Sequence, residues 1–182
     1  MEALKFLRPG RVGPFSGVTW PEPGVWLESS GAPELCRTGV HGLLPAVLAT
    51  WIAEELWRVE LDGAETPARG VVVARRGRLL GCVEGWNDES ARDFARGCAT
   101  HVRDRAAANR APKYAADATA AAETAVAGDS AAAVAYMAAH AAEAITPGGF
   151  AAERRWQSQW LAERLRLGTS GVTNAELRRL KS

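Results

Sequence analysis

Two cysteine and histidine pairs are the residues of this 182-residue chain whose types could do chemistry together: Cys36 with His41, and Cys98 with His101. Zinc takes four such donors as two close pairs, each folding a turn of chain around one side of a tetrahedron. Cys36 and His41 could serve instead as nucleophile and base, because a thiolate is stabilised by a nearby histidine or by a helix N-terminus. Neither spacing matches a zinc knuckle, however, and Cys98 falls on the apolar stripe of a predicted helix, where a small buried thiol packs well. The sequence therefore predicts no metal and no cofactor. Cys36, His41, Cys98 and His101 are the metal-ligand set it offers, and His41, Cys36 and Glu84, the last at the end of a predicted strand, are its catalytic candidates.

Binding residues read more clearly than catalytic ones. Trp51 and Trp57 sit on periodic apolar faces and belong to the core, whereas Trp20 and Trp26 lie in irregular or edge segments, where an aromatic pocket wall is expected. With Cys36, Arg37 and His41 they make the predicted ligand-binding set. Arg75, Arg76 and Arg78 around a turn suit either a phosphate or a solvated hairpin tip. His140 reads as an ordinary helix-face histidine. The segment CRTGVHG, residues 36–42, holds a histidine and two glycines that the packing pattern does not call for.

The elements that must position these residues follow from period and punctuation. ALKFL near the start is a first strand, and the Pro- and Gly-rich residues 8–24 form a long structured loop. VWLES is a short strand. Pro45 opens a predicted helix whose face carries Val47, Leu48, Trp51, Ile52 and Leu56. LWRVELDG then alternates as the most secure strand, and GVVVARRGRLLGCVE reads as a hairpin turning at Arg76-Gly77. Asn87 caps a helix with acids in its first turn. Beyond Pro112, two Ala-rich helices separated by Gly128, the second capped by Asp129, suggest a close αα-hairpin. A further helix follows Pro147-Gly148-Gly149, with Phe150, Trp156, Trp160, Leu161 and Leu165 near one face and Gly168 as its stop. Thr173 to Glu176 matches a capping box for a last short helix.

Composition narrows the classes. A net charge of +1 and a pI near 7.8 give no electrostatic reason to expect nucleic acid or a membrane surface, and 47% hydrophobic with 24% charged residues is ordinary for a globular protein. No apolar run reaches membrane-spanning or signal length, and three cysteines at unrelated spacings argue for reduced thiols, so a cytoplasmic location is expected.

The segments KFLRPGRVGPFSGVTWPEPG, LCRTGVHG and ELWRVELDG, in that order, resemble the N-terminal half of a family of uncharacterised actinobacterial proteins. The resemblance covers roughly residues 1–86 and implies no activity. Members of the broader group carry a second cysteine soon after the histidine, where this chain has Gly42-Leu43. The order Gly-x-His, helix, strand is also similar to the start of the ADP-ribosyltransferase fold. That likeness implies a dinucleotide-using enzyme with His41 and Glu84 in its site, although the chain has no R-S-E or H-Y-E set.

The predicted architecture is α+β: a small, mainly antiparallel sheet with one packed helix over residues 1–86, then an Ala-rich helical bundle over residues 87–182, packed together. The predicted function is a binding or regulatory module with a pocket near residues 36–42 for a small molecule or a protein partner, homo-oligomerisation being left open. The alternatives are the ADP-ribosyltransferase-like enzyme and a structural zinc protein.

Overall fold

The alternating run at residues 55–62 forms the centre of the sheet. As β4 (Glu55–Asp62) it buries Leu56 on one face and Val59 and Leu61 on the other, so both faces are covered. The computed structural model describes residues 1–64 and 70–168. β1 (Glu2–Leu7) lies antiparallel to β4 along its whole length, from Glu2 opposite Glu60 to Leu7 opposite Glu55. On the other side β6 (Arg76–Cys82) pairs with β4, with Leu80 bulged out where the register shifts between Arg58 and Val59. β2 (Leu27–Glu28), β3 (Val40–Leu43) and β5 (Val71–Ala74) complete a six-stranded antiparallel sheet in the order β2-β6-β4-β1-β3-β5.

The predicted hairpin at Arg76-Gly77 is not formed. β5 and β6 are separated by Arg75 alone, yet β5 pairs with β3 and β6 with β4, near opposite ends of the strand order. The chain bends at Arg75 instead of reversing. This requires a sheet curled into a half-barrel, the cumulative result of strand twist. A Cβ on Gly77 would stand 2.8 Å from Val40 Cγ1, although β4 and β1 lie between β6 and β3 in the ladder. The concave side holds its own core, with Leu7, Val40, Val59, Leu61, Leu79 and the loop residue Trp20.

The predicted helix after Pro45 is a 3-10 helix, Pro45–Trp51, broken at Val47 (φ −128°, ψ 17°). Ile52 is already extended, and Leu56, placed by its spacing on the helical face, is a strand residue opposite Phe6. The ladder with β1 claims residues 55 and 56, and a β-branched Val47 favours the non-helical dihedrals that shorten the helix. VWLES likewise contributes only Leu27 and Glu28 to the sheet.

Four helices cover the convex face. Asn87 caps α1 (Asp88–Ala108) as its sequence predicts, accepting the Glu89 and Ser90 N–H groups. α2 (Lys113–Ala125) and α3 (Ala131–Ile145) are the Ala-rich pair, and Ser130, not Asp129, caps α3 by accepting the Ala133 N–H. α4 (Gly149–Arg164) stops short of Gly168. One core runs from Leu4, Phe6 and Leu56 of the sheet to Phe94 of α1, Ala138 of α3 and Leu161 of α4. The capping box at Thr173 to Glu176 lies outside the described residues. No helix among the described residues is long and apolar enough to cross a membrane.

The buried face of α4 departs from its predicted aromatic stripe. Gly149, Glu153, Gln157, Ser158 and Leu161 are its buried residues, and Trp156 and Trp160 pack half-buried beside them. Their polar groups are satisfied. Gln157 Nε2 donates to the Ala135 carbonyl at 2.9 Å and to Glu153 Oε1 at 3.2 Å. Ser158 Oγ accepts the Ala49 N–H at 3.1 Å, and the Arg154 guanidinium donates to the Ala49 carbonyl, so α4 grips the 3-10 helix.

Candidate functional site

β1 and β3 meet at one register pair, Leu4 with Leu43, and then part. A cleft of about 680 Å³ opens where the ladder fails, with Lys5 and Phe6 of β1 on one side and His41 and Gly42 of β3 on the other. The ordered Pro/Gly loop covers one end. Arg8 and Val12 exchange backbone hydrogen bonds, and the Trp20 N–H donates to the Arg11 carbonyl at 2.9 Å, which presses the Trp20 ring into the concave core at 3% exposure. Phe15 stands at the mouth, 78% exposed, with its ring centroid 6.1 Å from that of Trp51. The Trp51 ring also meets His41 edge to face at 6.3 Å.

Lys5 reaches into the parting. Its Nζ donates to the His41 carbonyl at 2.8 Å, in place of the backbone bonds that a continued ladder would make, and lies 5.3 Å from the Trp20 ring centroid. The side chain is half-buried, and what surface it keeps faces the cleft. Scarce hydration lowers its pKa from 10.5 to about 8.

Of the predicted ligand-binding set, Trp20, Cys36, Arg37 and His41 line this cleft, and Trp26 does not. The Trp26 ring is covered by the guanidinium groups of Arg76 and Arg78, 4.6 and 4.8 Å from its centroid. Those arginines also pair with Asp62 and Glu60, so neither a hairpin tip nor a phosphate site is formed by them. His41 is held by its neighbours: the Cys36 backbone N–H donates to Nε2 at 3.1 Å. Burial, and then the Lys5 charge, lower its pKa, against an upward pull from the Gly39 and Glu34 carbonyls. A neutral ring whose Nε2 is occupied by a backbone donor serves the loop as a strut. Cys36 itself is exposed, with φ at +61°.

The glycines of residues 36–42 are required by packing, contrary to the sequence reading. Gly39 has φ at +111°, and a Cβ there would meet Val73 Cγ2 at 2.5 Å. A Cβ on Gly42 would stand 2.9 Å from the Ala3 Cβ.

The two Cys/His pairs do not converge. Cys98 is buried in the core beside Phe94, and burial raises its thiol pKa well above the ordinary range. His101 stacks on Trp156 with centroids 3.8 Å apart and places Nδ1 2.8 Å from Glu153 Oε2. Among the described residues no three His, Cys, Asp or Glu side chains gather as a metal-binding group. Glu84 is exposed just past β6, and β4 and β1 lie between its strand and that of His41. Glu84 does not line the cleft that His41 lines. His140 is exposed on α3, edge to face with Tyr136 and Phe150.

Sequence reasoning missed Lys5, Phe15 and the contribution of Trp51. The signal for Lys5 was present, since period two places it on one face with Ala3 and Leu7, a cation on an apolar stripe. Phe15 carried no signal beyond being an aromatic in a loop. No protein-family model, curated protein or solved structure matches the chain.

Proposed function

We propose that this protein binds a small molecule in the cleft between β1 and β3. The observation that carries the reading is the interrupted ladder: two strands that could pair further part after Leu4 and Leu43, and aromatic side chains line the opening. Its volume of about 680 Å³ suits a small molecule, since ligand pockets run ~300–1,000 Å³ and combine apolar walls with a few polar groups. The role is binding rather than catalysis. His41 Nε2 is occupied by the Cys36 N–H, and Glu84 lies off the cleft, so the transferase alternative has no acid and base pair here.

A fragment screen followed by NMR shift mapping on the full chain tests the reading. Ligands should perturb Phe15, Trp20, His41 and Trp51 together, and Trp51→Ala should weaken them. Hits that map to other surfaces, or a library with no hit in the cleft, would remove the proposal.

A further inference from the structure

Lys5 differs from Arg37, the other cation lining the cleft, and from Arg11 of the Pro/Gly loop. Arg11 pairs with Glu22 and Arg37 with Glu34, whereas Lys5 makes no ion pair among the described residues. Its one hydrogen bond goes to the His41 carbonyl. An ammonium has three N–H donors, so two remain for something in the cleft. The acid on the cleft wall, Glu28, is exposed on β2 and forms no ion pair with Lys5.

The residue type carries information as well. The lysines of this chain are Lys5, Lys113 and Lys181, against a total of 22 Lys and Arg. A chain that otherwise uses arginine places at position 5 a compact point charge, 5.3 Å from the Trp20 ring centroid. A partly desolvated charge without a counter-ion costs stability, and such groups gather at functional sites.

We propose that Lys5 anchors a carboxylate on a small molecule whose apolar body lies against the accessible rings of Phe15 and Trp51. This rests on the cleft being a ligand site. One ammonium with two free donors matches one carboxylate. A phosphate monoester carries nearly two charges and would call on a second cation, and Arg37 at the mouth is already paired with Glu34.

The test uses two acids, indole-3-propionate and 4-phenylbutyrate, with the primary amide of each, titrated into the wild-type chain and Lys5→Met and followed by NMR with labelled lysine. Each acid should bind in the cleft about tenfold or more tightly than its amide, as expected for a charge-assisted bond. It should also shift the Lys5 resonance. Lys5→Met should abolish the preference while still binding the amide, which shows that the variant is folded. Equal binding of acid and amide in the cleft would overturn the anchor and leave the cleft reading standing. Failure of all four compounds to perturb the cleft at about millimolar concentration would count against both.

Discussion

The Cys36 backbone N–H donates to His41 Nε2 across 3.1 Å, so this loop is closed by the unprotonated nitrogen of a titratable ring. A protonated ring is a donor at both nitrogens and cannot accept that bond. The His41 pKa is held below its ordinary 6.5, chiefly by burial. As pH falls from 6.5 through the lower folded value, the unfolded chain takes up the proton first, so stability is lost on acidification. The protection factor of the Cys36 amide should fall below pH 6.5, and His41→Phe should remove that fall. An amide whose protection is unchanged across this range would contradict the strut.

Lys5 gives a signature of the same sign, in the alkaline range. Its native pKa is about 8 against 10.5 unfolded. Between these values the native side chain has lost its proton and the unfolded one keeps it, so stability rises with pH. Lys5→Met should therefore be more stable than wild type at pH 7, by about 1–2 kcal/mol after allowance for the charge's view of cleft water and its lost hydrogen bond. Denaturant melts should show that gap closing between pH 8 and 10.5. A gap that stays constant would mean that Lys5 is not the titrating group.

Ser158→Ala should cost about 1–3 kcal/mol, because it strands the buried Ala49 N–H that Ser158 Oγ accepts. The loss should appear locally as faster amide exchange at Ala49 in the 3-10 helix that presents Trp51. Uniformly raised exchange across the chain would place the effect elsewhere.

Gly39→Ala should destabilise by about 2 kcal/mol or more, since φ is +111° and the new methyl meets Val73 and the Ala74 carbonyl. Gly81→Ala, in β6, is the control, since a Cβ there meets nothing within 4 Å. Thermal melts should separate the two variants, and equal midpoints would refute the steric account.

Short-period patterns made much of the fold legible. The alternation of residues 55–62, the Asn87 cap and the Ala-rich pair all carry local signals that the tertiary structure keeps. What was not legible depends on partners distant in sequence. Arg75 reads as part of a turn until β3 and β4 are known to take β5 and β6 apart. Leu56 reads as helical until Phe6 claims it across the ladder. At the site, His41 and Cys36 stand out by residue type, whereas Lys5 is a lone cation on a strand, a place where most lysines are solvated. Trp26 was misplaced because the arginines that cover it lie some 50 residues away.

The polar face of α4 has a consequence for how the bundle is registered. Alanine surfaces are nearly featureless, so α4 could slide along α3 by one turn, ~5.4 Å, and bury much the same area. Gln157 to the Ala135 carbonyl and Ser158 to the Ala49 N–H break together on any such slip. They act as teeth in an otherwise smooth joint, and they fix the depth at which α4 meets the 3-10 helix and thereby the position of Trp51.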